Sequence, residues 1–263
     1  MGVFYETIPK SLVPWILEQK MLWVGSAPLS GDGHINISPK GGQYFGIIDE
    51  RTFWFMDLTG SGVETTAHLR ELGNGRIVVM FMAFEGPARI LRIWGKGSVL
   101  ENGSKDYDDF VRDRSVKTLP GSRSIILVDV HQVATSCGFS VPFYDFKAFR
   151  PTLNEFFEKK EKAYLNGKAD ESMDKYWAYK SQLSIDGLPG MKRGYEYAQK
   201  HKIAPLKKMV GPYAPKAPRT SDAMSPIYLV FVALLSFVMG AAITLTLVSP
   251  GIVQRIQEGQ KVF

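Results

Sequence analysis

Lys40 is the first residue in the chain whose placement suggests chemistry. It ends the stretch HINISPK and stands directly before Gly41 and Gly42, so an ammonium is offered beside backbone that no side chain shields. About twenty residues later, DLTGSGVETTAHL runs from strand to glycine-rich loop to helix. It carries hydroxyls at Thr59, Ser61 and Thr65 and accessible peptide N–H groups at Gly60 and Ser61. A cation, hydroxyls and uncovered amides are the donors that hold a phosphate. Ser38, in the first segment, joins this set, and Arg76, which follows a turn and opens a strand, could add positive charge. Glu64 pulls the other way, because a carboxylate at a helix start can cap the helix itself and repel an anion. The loop therefore reads either as a phosphate seat or as a plain helix cap.

Other catalytic signatures are absent from the sequence. The histidines His34, His68, His131 and His201 lack metal-ligand spacing, no CxxC occurs, and no metal site is expected. There is no G-x-S-x-G elbow, and no residue is named as a catalytic acid or base. Cys137 is the single cysteine, which excludes an intrachain disulfide; nothing near it in sequence would activate the thiol.

The elements that must position these residues follow from hydrophobic patterning. Residues 7–20 read as a short helix with Thr7 as its cap. Runs of strand character cover 21–29, 34–40, 44–58 (two strands about a turn at 49–51), 75–84, 90–101 and 124–136. Short helices are expected over 64–72 and 105–114. Six or seven strands with connections mostly too short for parallel crossovers predict an antiparallel barrel over residues 1–150. From 151 the texture turns helical. Thr152-Leu153-Asn154-Glu155 has capping-box form, and a second helix is expected over 170–183. Phe156, Phe157, Tyr164, Tyr176 and Trp177 should pack this extension (151–204) on the barrel.

The net charge of +6 is uneven: residues 1–150 carry 16 Lys/Arg against 16 Asp/Glu, whereas 191–226 carry 8 against 2. A balanced domain argues against a nucleic-acid face. The basic stretch overlaps a proline-rich linker (205–226) and precedes 22 uncharged residues, Ile227–Val248, of which thirteen are Leu, Ile, Val or Phe. At about 1.5 Å per residue such a helix spans roughly 33 Å, the depth of a hydrocarbon core. The expectation is one transmembrane helix, a short tail (249–263), basic residues against anionic lipid, and the large domain facing the cytosol. The target membrane is left open between endoplasmic reticulum and outer mitochondrial membrane.

The order HINISPKG, FWFMDLTGSGVETTAHL, NGRIVVMFMAFEGPARILRIWGKG resembles the pyridoxamine 5′-phosphate oxidase-like FMN-binding split barrels, in particular a fungal subgroup with a C-terminal membrane anchor. The likeness covers about residues 3–145, and ATSCGFSVP and SIDGLPG extend it towards 190. It implies a mainly β chain with α elements: a six-stranded antiparallel split β-barrel, dimeric, with FMN between subunits. Lys40-Gly41 would approach the flavin or its phosphate, and Thr59 to Thr65 would lie in the phosphate-holding region. The chain departs from the oxidase pattern at Glu64 and Thr65, where adjacent basic residues are expected, and at Ile35, where an arginine is expected. The arginine and histidine that hold substrate phosphate in the oxidase have no counterpart. Two functions follow. One is a membrane-tethered, FMN-dependent oxidoreductase-like protein acting on an unidentified small substrate. The other is a flavin-free dimeric split-barrel module for binding or scaffolding at a membrane surface.

Overall fold

Alternating burial along short apolar runs builds one antiparallel sheet, seen in a computed structural model that describes residues 2–214 and 234–239. Its strands are β1 (Val3–Tyr5), β2 (Met21–Ser26), β3 (Asn36–Gly41), β4 (Phe45–Asp49), β5 (Thr52–Leu58), β6 (Arg76–Met82), β7 (Ile90–Glu101) and β8 (Ser122–Ser136). The order is β3-β2-β6-β7-β8-β5-β4, with β1 also paired to β8. The expected barrel is thus a curled, mainly antiparallel sheet consistent with a split barrel. It has eight strands, against six or seven expected; the one beyond the seven apolar runs is β1, which pairs with the long β8.

β3 and β4 are the two ends of this order, yet the sheet curls until β3 meets β5: Lys40 Nζ lies 2.7 Å from Asp57 Oδ1. The seam of the split barrel is therefore closed by an ion pair rather than by a strand ladder. Within the curl Phe53, Phe55, Phe81, Ile93 and Val128 are fully buried, each worth about 1.5–3 kcal/mol of transfer free energy. Phe53 and Phe81 meet edge to face, with ring centroids 5.9 Å apart. Where β7 and β8 shift register at Trp94/Gly95, a Cβ on Gly95 would stand 2.4 Å from the Asp129 carbonyl oxygen, so only glycine fits the bulge.

The helices are α1 (Val13–Glu18), α2 (Glu64–Arg70), α3 (Lys105–Asp113), α4 (Thr152–Leu165), α5 (Met173–Lys180) and α6 (Lys192–His201). The helix expected over 7–20 is only a 3-10 turn (Lys10–Leu12) followed by α1; it places Ile8, Leu12 and Ile16 in the barrel core before the chain enters β2. α2 and α3 form where the sequence predicts them, α3 capped by Ser104 Oγ, which accepts from the Tyr107 N–H.

The helical extension differs in three details. No capping box forms at Thr152, because Pro151 already adopts helical angles and leaves Thr152 inside the first turn. The second helix starts at Met173, where Ser172 accepts from the Lys175 N–H. A third helix, α6, lies against α5. Phe157 and Trp177 are buried as expected, whereas Phe156 and Tyr164 remain about half exposed.

Residues 1–208 form one compact unit and 209–263 a second. In the second, 209–214 make a turn closed by the Ala214 N–H donating to the Gly211 carbonyl, and 234–239 are helical with exposed Leu234, Leu235 and Phe237. Among the described residues no helix is long and apolar enough to cross a membrane. The span expected over 227–248 lies outside the described residues except at 234–239. The tail (249–263) and the linker beyond 214 lie outside them altogether.

Candidate functional site

The seam carries a cavity of about 370 Å³. Period-two alternation on β3 sends Asn36, Ser38 and Lys40 to one face, and all three line the cavity with the backbone of Gly41. The opposite wall is the loop after β5. Of the residues expected from sequence, Ser38, Lys40, Gly41, Thr59, Gly60, Ser61 and Thr65 share this one cavity. Arg76 does not. Its guanidinium is turned to the Asn74 side-chain oxygen (3.2 Å) and the Pro28 carbonyl (3.0 Å), so it staples the turn before β6 instead of facing an anion. Arg92 reaches Ser136 Oγ, and Arg89 lies over the Trp15 ring.

The electrostatics are organised by Asp57, which is fully buried. Its Oδ1 accepts from Lys40 and its Oδ2 from Arg123 Nε, both at 2.7 Å. Burial pushes the Asp57 carboxyl up, but the two cations outweigh it and hold the group at about 2. Arg123 also donates from Nη1 to the Gly62 carbonyl (2.6 Å), which pins the glycine loop. Lys40 spends one of its three N–H bonds on Asp57, and the ammonium remains part of the cavity wall.

The hydroxyls are not equivalent. Thr59 Oγ1 donates to the Gly121 carbonyl (2.6 Å) and accepts from Trp177 Nε1 (3.0 Å), so it joins barrel to extension and has little left for a ligand. Thr65 Oγ1 accepts from Asn36 Nδ2 (3.1 Å). Ser38 Oγ is buried with no partner among the described residues, an orphaned hydroxyl on the cavity wall.

Glu64 also lines the cavity. Its Oε1 accepts from the Ile185 N–H (3.2 Å) and from Lys208 Nζ (3.1 Å). Burial raises the carboxyl, and Lys208 with the Glu64 and Val63 N–H groups reverses that and leaves it below the ordinary glutamate value. Glu64 thus spends Oε1 on the Ile185 amide and the Lys208 ammonium, and α2 has no side-chain cap.

Gly41, Leu58 and Leu153 belong both to this cavity and to a neighbouring groove of about 1350 Å³. The groove is lined by Trp15, Trp23, Tyr44, Phe84 and the irregular segment 140–150, including Tyr144, Phe146 and Phe149. Trp23 Nε1 is buried there without an acceptor among the described residues. A polar, cationic recess thus opens onto a broad aromatic surface.

A curated relative, the pyridoxamine 5′-phosphate oxidase family protein ustO of Aspergillus flavus, is 37% identical over 205 residues, which cover 73% of this chain and 78% of that one. The chain belongs to the pyridoxamine 5′-phosphate oxidase family. No family model matches it. Among solved structures, HupZ of Group A Streptococcus shares 20% identity at a TM-score of 0.36, covering 48% of this chain and 91% of that one. The FAD binding protein of Mycobacterium smegmatis shares 12% at 0.34, covering 50% and 97%. At those scores the likenesses add nothing to what the fungal relative shows.

In this member of the pyridoxamine 5′-phosphate oxidase family, two cations far from the motif in sequence bear on the site, Arg123 from the cavity wall and Lys208 through Glu64. Arg123 opens β8, 66 positions after Asp57, and Lys208 ends the compact unit. The only signal for Arg123 was a lone charge at the head of the apolar run SIILV; Lys208 sat inside a stretch whose composition reads as linker.

Proposed function

We propose that this family member is a flavin-binding oxidoreductase that takes FMN across the cavity and the groove, dimeric and tethered to a membrane by 227–248. One observation carries this reading: the recess lined by Lys40, Arg123 and Ser38 is continuous, at Gly41, Leu58 and Leu153, with the aromatic groove. That pairing suits a ligand with an anionic end and a flat aromatic body. Ser38 Oγ supplies a donor without a protein acceptor at the polar end, and Trp23 Nε1 supplies one at the ring end. FMN held there would bring two-electron redox chemistry. The chain's own residues would bind and orient: Lys40 and Arg123 neutralise phosphate charge, and the aromatic side chains of segment 140–150 offer a flat ring an apolar surface.

Dimerisation is supported by the edge of the sheet, where β3 and the residue before it expose Ile37 (67%) and Ile35 (77%) beside unpaired backbone. The tether is supported by the uncharged run 227–248 and by the basic excess over 191–226 before it. The full chain, purified in mild detergent and titrated with FMN, tests the flavin. Stoichiometric binding with reversible bleaching on reduction is expected, whereas a colourless protein with no thermal shift removes the proposal. In that event the flavin-free binding module stands, favoured by the Glu64 carboxylate on the cavity wall.

A further inference from the structure

The charges that build the cavity nearly cancel. Lys40 and Arg123 face Asp57, and Glu64 adds a second carboxylate on the wall, which alone would leave two positive against two negative. Lys208 supplies the third cation, 3.1 Å from Glu64 Oε1, with side-chain exposures of 12% for Lys208 and 15% for Glu64. The balance becomes three against two. Shielded from solvent, that extra charge counts for more than a surface lysine would. The arm bearing it is pinned: the Leu206 N–H donates to the Tyr179 carbonyl (2.8 Å), and Gln182 Nε2 donates to the Ile203 carbonyl (3.0 Å).

We propose that Lys208 is the residue that makes the cavity attractive to an anion, by neutralising Glu64 from the C-terminal arm. The inference rests on the reading of the cavity as an anion seat and names what sets its affinity. Glu64 then has a purpose that its position in the loop alone conceals. It is the acceptor that draws the arm into place, so the anion site is complete only when the chain is folded up to its last residue before the second unit. Burial places the Lys208 ammonium below the ordinary lysine value against the opposing pull of Glu64, with Arg123 a smaller contribution in the same direction as burial.

The test uses the full chain and two probes, FMN and inorganic phosphate, with affinities from fluorescence or calorimetry and from phosphate-dependent thermal shifts. Lys208→Gln is expected to weaken both by about ten-fold or more, and the double variant Glu64→Gln/Lys208→Gln to recover to within about three-fold of wild type. Glu64→Gln alone should bind at least as tightly as wild type. Wild-type affinity in Lys208→Gln overturns the inference while leaving the flavin reading intact. If wild type ignores FMN but is stabilised by phosphate, only the flavin reading fails, and the phosphate series still decides about Lys208. A wild-type protein that binds neither probe overturns both. Should Lys208→Gln fail to fold, the double variant, which removes both charges, decides: loss of phosphate and FMN binding in a folded double variant also overturns the inference.

Discussion

The Trp177 indole N–H donates to the Thr59 hydroxyl across 3.0 Å, and so a helix of the C-terminal extension is bolted to the loop that walls the cavity. Both groups are buried, and the same hydroxyl donates a hydrogen bond to the Gly121 carbonyl. Trp177→Phe keeps the packing and removes one donor. It should cost about 1 kcal/mol in urea unfolding. Trp177→Ala also opens a cavity and should cost about 3–5 kcal/mol. Equal losses for the two would show that the bond, not the ring, carries the junction.

Asp57 holds the seam. Asp57→Asn leaves Arg123 buried without its counter-charge, and a loss of about 3–5 kcal/mol is expected in denaturant unfolding. The acid limb follows from the same pair. A folded-state value of about 2 lies below the ordinary 3.8, so the unfolded chain takes up the proton first as pH falls. The contribution, of order 2 kcal/mol, is fully present above about pH 4 and lost towards pH 2. A wild-type unfolding free energy that stays flat from about pH 4 to pH 2 would contradict it.

His68 is fully buried in α2, with Nδ1 2.9 Å from Ser26 Oγ and Nε2 unpartnered among the described residues. Burial pushes its value below 6.5, against the opposing pull of Asp186, Glu64 and Glu71. The folded state therefore favours neutral imidazole. Stability is fully present above about pH 6.5 and declines as the medium is acidified below it. Thermal melts between pH 7.5 and 5 should show this decline, and His68→Gln should flatten it.

Lys40 serves the cavity as well as the seam, whereas the bonds of Arg76 serve the fold. Lys40→Met should weaken FMN binding about ten- to hundred-fold through loss of a charge-assisted contact. Arg76→Met should leave affinity unchanged and cost about 1 kcal/mol of stability, because its bonds go to Asn74 and Pro28. A ligand-binding defect in Arg76→Met would return that residue to the site.

What could be read from sequence was local. Lys40 and the Thr59–Thr65 loop lie within a short segment, and period-two alternation together with a strand–loop–helix signature places them without knowledge of the whole fold. Arg76 lies off the cavity because a charge at a strand start does not reveal where it turns; Asn74 and Pro28 hold it. Arg123 and Lys208 were invisible for the opposite reason. Their partners, Asp57 and Glu64, are 66 and 144 positions away, and only the curl of the sheet and the return of the arm bring them near. Strand β1 has no sequence signature, since three residues carry no periodicity. The missing capping box reflects Pro151, whose ring fixes φ and starts the helix early.

Leu153 sits at the junction of recess and groove, yet it is carried by α4 and not by the barrel. The sheet by itself is an unfinished vessel. The barrel supplies the other walls, so cutting the protein near residue 150 would leave recess and groove open on the side that Leu153 covers.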